Sequence, residues 1–569
     1  MKAEDTSYLP GTSRRGLVSI ALMVFITLAT VLFIPHALAT ARTQTVCTIT
    51  VNSADEKEVF RRYMPASKAR FVELIERGRP DWLASACQSA IACDVLIISG
   101  HYDGYNHFFS ENLETPEYLP VDELERVSCS GSCQGLFAQL KEVHLFGCNT
   151  LNRDAQNNAG AEVVRSLLRE GLSLKAALQQ QRSLNAGHGE SSRDRMRQVF
   201  KDVPVIYGFS TLAPLGPVAA STLDGYFRRQ GAREIGRGRA SASLLQQFAP
   251  FGMSVAQGMT DKDPHADVRQ DVCQFVDDRL SETERLGFVH QLMQRPMAQS
   301  RVHLDRLERY ASTLNETAQH TPQMVQALDL MAGDTDTRQR YLDFARDADQ
   351  PEVSARMVKV AQQLGWLTEQ ERQHELARLL GKVLARRTVG TNEVNLACTL
   401  NQARELDAHF GPQGPAAVPG EDLPHAAVRA CLGSPQGHAR TLDALLSTQE
   451  ADVAVAQDYL RHRPITDASD LRRLATGIVA MPASTAQVRA LETLSRHYVS
   501  DRTVLNGVVQ LFVQTPSPKV QAAVAGVLIR ADRRALAAPQ LLSTLVKHRH
   551  RSPPGDNMID ALIRRLEPS

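Results

Sequence analysis

Two residues with reactive side chains follow directly on short apolar runs of the chain. His101 comes after the run from Asp94 to Gly100, and Cys148 comes after the run from Val143 to Gly147. Runs of this length and composition are typical of buried strands in a parallel sheet. Ligands of such sheets bind outside the carboxyl ends of the strands, so neighbouring strands would place an imidazole and a thiol at one edge. A histidine in that position can take the thiol proton, and the thiolate can attack a carbonyl carbon.

The elements around these two runs predict a doubly wound α/β domain. We expect strands near residues 48, 96, 145 and 206, a helix at 67–77 and a polar surface loop at 179–197. Alternating strands and helices favour a parallel sheet that is covered by helices on both faces. We place this domain at residues 45–250 and a linker at 251–270.

The remainder of the chain, residues 271–569, is predicted to be all-α. Strand signals end there, and helical segments of roughly 10 to 15 residues follow one another. The segment from Ser484 to Leu494 resembles the segment from Ser517 to Leu528, about 33 residues further on. Helix pairs at this period indicate a HEAT-like solenoid, with an irregular helical domain as the alternative. In either form we expect this part to recruit a substrate or a protein partner.

The N-terminus carries an apolar segment that predicts export. Arg14 and Arg15 precede the nearly unbroken apolar stretch from Leu17 to Ile34. We therefore interpret residues 16–39 as a transmembrane signal anchor or a cleaved signal peptide, and residues 1–15 as a cytoplasmic segment. Both alternatives place the main body on the periplasmic or extracellular side. The anchor alternative makes the chain a single-pass protein of the inner or plasma membrane.

Nine cysteines fit such a location, and six of them fall in the first 150 residues. In an oxidising compartment some of these six should form disulfide bonds. Cys129 and Cys133 could close a tight local loop, or they could pair outward with Cys87 or Cys93. Zinc binding by this pair and plain buried thiols are the alternatives. The odd total leaves at least one sulfur free unless two chains are bridged.

The charge pattern excludes one class of partner. The formal net charge is +1, and no basic tract or aromatic-studded basic motif stands out. We therefore expect no nucleic-acid partner. No cofactor is expected either.

The two strand-end motifs, Gly100-His101 and Gly147-Cys148, resemble those of the caspase-like cysteine peptidases of clan CD, which include the caspases and the CHAT group. The histidine stands 47 residues before the cysteine, and the run VPVIYGFS resembles the strand after the nucleophile in that group. The resemblance covers about residues 45–250. It implies a caspase-like fold and a cysteine endopeptidase with a His101/Cys148 dyad that acts on proteins or peptides.

The chain departs from the family pattern at two places. The family usually has glycine directly after the histidine, where a backbone N–H helps to form the oxyanion hole, and this chain has Tyr102. The family often has alanine before the cysteine and glycine two residues after it, whereas this chain has Gly147 and Thr150. The candidates for selecting a substrate side chain are Asp103, Glu190 and Asp224 for a basic one, and Arg193 or Arg195 for an acidic one.

Two alternatives to the peptidase follow from the same residues. The first is a catalytically inactive caspase-like scaffold whose helical array binds protein partners. The second is a metal-dependent hydrolase in which His101, Asp103 and His107 hold the ion, since His and Asp two positions apart on an extended segment can meet one metal. A further ligand, such as His144 or His188, would have to come from elsewhere in the fold.

Overall fold

The computed structural model divides the chain into two compact units. It describes residues 43–567, apart from residues 76–82, 105, 111–116, 155–159, 189–190, 230, 264–265, 317–319, 412, 417, 419, 533, 537–539 and 552–557. The α/β unit comprises the chain up to Gln156 together with Glu190–Arg279, and the helical unit comprises Asn157–Gly189 with Leu280–Ser569. The predicted leader at 16–39 lies outside the described residues. Within the described ranges, no helix is both long and apolar enough to span a bilayer.

The α/β unit is built on a six-stranded mixed sheet. In chain order the strands of the unit are β1 (Gln44–Thr50), β2 (Ala69–Glu73), β3 (Val95–Ser99), β4 (His101–Tyr102), β5 (His107–Phe109), β6 (Tyr118–Pro120), β7 (Glu142–Phe146), β8 (Val205–Phe209) and β9 (Met253–Ala256). The main sheet has the order β2-β1-β3-β7-β8-β9, and β4, β5 and β6 form a separate small sheet. The first five strands of the main sheet run parallel, and β9 is antiparallel to β8.

Helices cover both faces of this sheet. In chain order the first ten helices are α1 (Asp55–Tyr63), α2 (Ala84–Gln88), α3 (Val121–Cys129), α4 (Gln134–Phe137), α5 (Ala161–Arg169), α6 (Leu174–His188), α7 (Ser192–Val199), α8 (Gly216–Arg228), α9 (Ala242–Gln247) and α10 (Ala266–Val276), of which α5 and α6 belong to the helical unit. On one face, apolar residues of α3, α4 and α7 form a buried cluster with the sheet. On the other face, α1, α8 and α9 do the same. The predicted α/β fold with a strand–helix alternation is therefore confirmed, in a sheet that is mixed rather than wholly parallel.

Three predictions for individual segments differ from the structure. The helix expected at 67–77 is strand β2, because the short run around Ala69 fits either period and pairs with the edge of β1. The polar loop expected at 179–197 contains the end of α6 and most of α7, whose N-cap Ser191 accepts the Asp194 N–H. The linker expected at 251–270 contains β9, so the sheet extends further along the chain.

The helical unit confirms the all-α character of the C-terminal part. Its helices after α10 are α11 (Glu282–Gln294), α12 (Met297–Val302), α13 (Leu304–Glu316), α14 (Pro322–Ala332), α15 (Thr335–Asp347), α16 (Pro351–Gln363), α17 (Glu369–Leu384), α18 (Thr391–Leu400), α19 (Asp407–Phe410), α20 (Leu423–Cys431), α21 (Pro435–Asp443), α22 (Glu450–His462), α23 (Ala468–Ala480), α24 (Thr485–Leu494), α25 (Arg502–Gln514), α26 (Pro518–Arg530), α27 (Leu541–His548) and α28 (Met558–Leu566). Helices α5 and α6 also belong to this unit.

Towards its C-terminal end the helical unit is arranged in two layers. Helices α18, α22, α24, α26 and α28 pack in succession on one another, and α23, α25 and α27 form a second succession. The two segments with similar sequences, Ser484 to Leu494 and Ser517 to Leu528, lie in α24 and α26 and their N-caps. In these helices the buried Gln487 and Gln521 each donate to the carbonyl of a residue nine positions earlier, Ile478 and Phe512 respectively. Equivalent residues therefore make equivalent contacts in consecutive helix pairs.

Four disulfide bonds are present, so the prediction that some of the first six cysteines pair is confirmed. They join Cys47 to Cys93, Cys87 to Cys133, Cys129 to Cys273, and Cys398 to Cys431. The local Cys129–Cys133 loop does not form, and Cys133 pairs outward with Cys87 instead. All nine cysteines lie in the described part of the chain, and Cys148 is the free one.

Candidate functional site

His101 and Cys148 lie at matching positions beyond two adjacent strands. β3 and β7 are parallel neighbours in the sheet, and Ser99 is paired in register with Phe146. His101 stands two residues after Ser99, and Cys148 stands two residues after Phe146. Both residues line the same pocket at the carboxyl edge of the sheet. The sequence prediction that one edge carries the imidazole and the thiol agrees with this placement.

Gly147 allows the two strand ends to approach so closely. A β-carbon built at this position would lie 2.9 Å from the Tyr102 Cβ and 3.0 Å from the Gly100 carbonyl oxygen. Real β-carbons essentially never come so near a backbone or Cβ atom, so any side chain here would push the two turns apart. The Gly100 N–H also donates to the Phe146 carbonyl at 3.3 Å. The glycine before the cysteine is thus a packing requirement of the site.

The turn that carries Cys148 is fixed to the end of β8. Asn149 has a positive φ of 57°, which is uncommon for a residue other than glycine. Its N–H donates to the Thr211 carbonyl at 2.7 Å. The buried Thr150 hydroxyl donates to the Gly147 carbonyl and accepts the Phe209 N–H. Because several bonds hold this turn, the direction in which the Cys148 side chain leaves the backbone is well determined.

One backbone amide points directly at the sulfur. The Ala213 N–H donates to the Cys148 Sγ at a nitrogen-to-sulfur distance of 3.3 Å. A donor in this position favours negative charge on the sulfur, because hydrogen bonds to a charged form stabilise that form. Ala213 belongs to the loop after β8, which the sequence analysis did not assign to the site.

His101 is held by the small three-stranded sheet. It is half-buried in β4, where it pairs with Phe109, and the two rings lie 5.4 Å apart between centroids. Tyr102 follows it in the same strand and is buried. The small sheet therefore fixes the backbone of His101, much as the turn to β8 fixes that of Cys148.

A buried carboxyl group completes the pocket, and the sequence analysis missed it. Glu56 is 4% exposed in the first turn of α1 and lines the pocket together with His101 and Cys148. Burial raises the pKa of Glu56 to about 7, and a contact with Ser53 works in the opposite direction. The signal was present in the sequence, because Glu56 follows closely on β1, whose carboxyl end lies at the same edge. The prediction applied that rule only to strands followed by histidine or cysteine.

The pocket is bounded by the turns after four parallel strands and is small. Asn52 and Ser53 follow β1, and the segment Ala213–Gly216 follows β8. These two segments meet closely, since a β-carbon at Gly216 would lie 2.3 Å from the Ser53 hydroxyl. Its volume is about 40 Å³, well below the range of small-molecule sites. The chain passes from β1 to β2 on one side of β1 and then to β3 on the other side, so the strand order reverses between β1 and β3. Ligands of open α/β sheets bind at such a point.

The residues proposed for substrate selection are engaged elsewhere. Arg195 is buried between Glu125 and Asp122. Asp224 accepts the Tyr63 hydroxyl at 2.8 Å. Neither these residues nor Asp103 and Arg193 line the pocket, and Glu190 lies outside the described residues.

The residues of the metal hypothesis are divided between different surroundings. Asp103 and His107 contact each other in the turn before β5, at 3.3 Å. His144 is buried in β7, where its ring stacks on Tyr207 and meets the edge of Phe60. The side chain of His188 lies outside the described residues. Within the described ranges, no group of three or more His, Cys, Asp or Glu residues is arranged to hold a metal ion.

Comparison with known proteins adds no assignment to this geometry, because no family model, curated protein or solved structure matches the chain. The chemistry of the site therefore follows from its own atoms. A free thiol with a backbone N–H donor on its sulfur shares an edge pocket with an imidazole and a buried carboxyl group. This set of groups is suited to nucleophilic attack by sulfur with proton transfer by histidine.

Proposed function

We propose that the α/β unit is a caspase-like cysteine endopeptidase domain with His101 and Cys148 as its catalytic dyad. One observation carries the proposal. Eight of the nine cysteines are in disulfide bonds, and the free one lines the same pocket as a histidine, at matching positions beyond adjacent parallel strands. The caspase-like resemblance in the sequence implies this arrangement of histidine and cysteine.

In the proposed reaction, Cys148 attacks the carbonyl carbon of a peptide bond and His101 accepts the thiol proton. The C–N bond of the tetrahedral intermediate then breaks, and His101 gives the proton to the leaving amine. Water hydrolyses the resulting thioester and restores the thiol. The Cys148 N–H makes no hydrogen bond to any described residue, so it is free to donate to the oxyanion. The Ala213 N–H stabilises charge on the sulfur before the attack.

Substrate entry requires the pocket to open. Its volume of about 40 Å³ is too small for a substrate side chain. The segment Ala213–Gly216 forms one wall. Leu215 within this segment is 61% exposed, and Leu212 just before it is 74% exposed. We infer that this segment moves away from Ser53 when a peptide binds and that the two leucines then pack against apolar substrate residues.

The small volume of the pocket also supports a second candidate function, the inactive scaffold. In that case the caspase-like unit keeps its fold without turning over a substrate, and the helical unit binds a protein partner. The two-layered stacking of α18 to α28 supports a HEAT-like array, and arrays of this kind present extended binding surfaces. The two candidates share this partner surface and differ in whether Cys148 reacts with a peptide.

Four disulfide bonds support export of the main body, because such bonds persist in oxidising compartments. Together with the apolar leader at 16–39, they favour a location on the periplasmic or extracellular side of the membrane. We propose that the leader anchors the chain there when it is not cleaved.

The test of the peptidase proposal is cleavage of a mixed-sequence peptide library by the full chain purified without reductant. We expect the wild type to cleave a subset of peptides, and Cys148→Ala and His101→Gln to lower kcat/KM by at least about a thousandfold, since dyad members act as a unit. Cleaved positions, read by mass spectrometry, would also reveal the preferred side chains.

His107→Gln is the matched control for His101→Gln. His107 lies six residues further along, is partly exposed and contacts Asp103 instead of lining the pocket. We expect it to retain wild-type cleavage. A wild-type chain that cleaves no peptide, or one whose Cys148→Ala variant cleaves equally well, would favour the scaffold. Loss of cleavage in the presence of a chelator would favour the metal-dependent hydrolase instead.

A further inference from the structure

The helical unit contains a second pocket, far along the chain from the dyad, that is lined mainly by cationic and hydrogen-bonding groups. Its volume is about 430 Å³, within the range of small-molecule sites. Three parts of the helical unit meet there: the turn between α18 and α19, the turn between α20 and α21, and the end of α22. Its charged or ionisable lining residues are Arg404, Asp407, His438, Tyr459, His462 and Arg463.

The Arg404 guanidinium is the group in this pocket that is most readily available to a ligand. Arg404 is exposed, and its side chain makes no hydrogen bond or ion pair with any described residue. Its backbone has a φ of 61°, in the left-handed region that residues other than glycine seldom adopt. Strained conformations of this kind persist where the surroundings impose them, and they are concentrated at ligand sites.

The surroundings that impose it are a buried network around Asn401. The Asn401 side chain is fully buried, accepts the Leu406 N–H and donates to the carboxylate of Asp407 and to the Cys431 carbonyl. Cys431 is in turn bonded to Cys398. The turn that carries Arg404 is thus tied to the end of α20, which forms the opposite wall of the pocket.

Positive charge accumulates at this pocket. Arg463 reaches it from the end of α22 and donates to the carbonyls of Gln402 and Asn401. Burial lowers the pKa of Arg463, and the charge of Arg404 lowers it further. Burial likewise lowers the pKa of His438, which favours the neutral imidazole, so the positive charge of the pocket comes from the two arginines. Asp407 is the one carboxylate among the lining residues, and it already accepts the Asn401 amide.

The remaining groups are donors suited to oxyanions. His438 Nδ1 contacts the Tyr459 hydroxyl at 2.6 Å. When Nδ1 accepts this hydrogen bond, the Nε2–H of His438 can donate to a ligand, and when Nδ1 donates it, the Tyr459 O–H can do so. Helix α21 begins at Pro435 on the wall of the pocket, with Ser434 as its N-cap, and a helix N-terminus favours negative charge. Guanidinium groups from different elements, together with these donors, can surround a tetrahedral anion from several sides.

We propose that this pocket is a binding site for a phosphate-type oxyanion, either free or as the phosphate group of a small ligand, with Arg404 and Arg463 as the charged ligands. The site lies wholly within the helical unit. It does not depend on the function proposed for the α/β unit, and its test leaves the dyad unchanged.

The experiment is a calorimetric titration of the full, disulfide-intact chain with inorganic phosphate at constant ionic strength. We expect saturable binding of phosphate. Arg404→Gln should raise the dissociation constant about tenfold or more, because it removes one charge-assisted contact. Arg404→Gln should fold normally because the side chain has no partner to lose, and its melting temperature without phosphate provides that check. Arg461→Gln is the matched control, because Arg461 is an exposed arginine of α22 that pairs with Asp458 and does not line the pocket.

Equal binding by the wild type and Arg404→Gln would overturn the proposal, and so would the absence of binding at 10 mM phosphate, about the weakest affinity of interest. Binding of succinate without binding of phosphate would overturn the phosphate assignment as well. Peptide cleavage should be the same in Arg404→Gln and the wild type, which separates this proposal from the first.

Discussion

At the scale of single residues, the site depends on environments that the chain imposes on ordinary side chains. Cys148 is the one cysteine left out of the disulfide network, and its sulfur accepts a backbone N–H. Glu56 is a carboxyl group buried at the same edge, although it lies at the start of a helix where an ionised glutamate would be favoured. Burial outweighs that preference, because an isolated buried charge is costly. The result is a group that changes charge near neutral pH.

Glu56→Gln should change how stability depends on pH. The folded pKa of about 7 lies above the ordinary value of 4.5. The contribution of Glu56 to stability is therefore fully present below pH 4.5 and is lost as the pH rises through 7. The loss amounts to roughly 3 kcal/mol for a shift of this size. We expect the wild-type melting temperature to fall between pH 5 and pH 8 by more than that of Glu56→Gln.

The control for this measurement is Glu58→Gln, an exposed glutamate of the same helix. Its pH dependence should match the wild type. A Glu56→Gln variant whose melting temperature follows the wild-type curve at every pH would show that Glu56 is ionised throughout, contrary to the environment described.

At the scale of elements, the parallel strands place the reactive groups and the glycines set their spacing. Most of this was predictable from the sequence. The apolar runs that become β3 and β7 are too short for most helices and rich in aliphatic residues, and the rule that ligands bind at the carboxyl edge then located His101 and Cys148. The order of the strands, which makes β3 and β7 neighbours, was an assumption, because pairing of distant strands depends on tertiary contacts.

The elements that the sequence analysis missed have physical reasons in common. β2 and β9 are short edge strands whose few apolar residues give no clear period, so their pairing partners decide their structure. The Ala213–Gly216 segment has no reactive side chain and contributes a backbone N–H, which a search for reactive residues passes over. The buried Gln487 and Gln521 repeat one contact in α24 and α26, but only the structure shows that they are equivalent.

Gly147→Ala tests the close approach of the two strand ends. The added methyl group would meet the Tyr102 Cβ, the Gly100 carbonyl and the Thr150 methyl, at 2.9, 3.0 and 3.2 Å. We expect about 1–3 kcal/mol of destabilisation, as for other overpacked sites, and a loss of peptide cleavage as His101 moves away from Cys148. Thermal unfolding and the library assay would measure the two effects.

Gly225→Ala is the matched control, in helix α8 of the same unit. Its nearest neighbour would be the end of the Gln247 side chain at 3.7 Å, an ordinary contact. Alanine inside a helix should raise stability by about 0.5–1 kcal/mol and leave cleavage unchanged. If Gly147→Ala behaved like this control, the strand ends would not be packed as described.

At the scale of the whole molecule, the pairing of the cysteines bears both on the proposed compartment and on the proposed role of Cys148. Three disulfide bonds lie in the α/β unit and one in the helical unit, and the longest joins residues 144 positions apart. Cross-links that close long loops constrain the unfolded chain most. Disulfide bonds persist mainly in oxidising environments, and under the proposed function the one remaining thiol has to stay reduced to act as a nucleophile.

Thiol counting on the purified protein tests this arrangement. We expect one alkylated cysteine per chain, at Cys148, when the protein is denatured without reductant, and nine after reduction, with peptide mapping to recover the four pairs. We also expect the reductant to lower the melting temperature. Two or more free thiols in the unreduced chain, or a modified Cys129 or Cys133, would contradict the described pairing.

The most direct measurement of the central claim is the rate at which a peptidyl acyloxymethyl ketone modifies Cys148, followed by intact mass. The peptide sequence of the probe would come from the cleaved library positions, and iodoacetamide would serve as a thiol reagent that needs no substrate binding. We predict a single adduct at Cys148, formed much more slowly in His101→Gln than in the wild type or His107→Gln, while iodoacetamide still modifies Cys148 in all three. Equal rates of peptide-probe modification in the wild type and His101→Gln would contradict the account, because His101 would then have no part in the chemistry of Cys148.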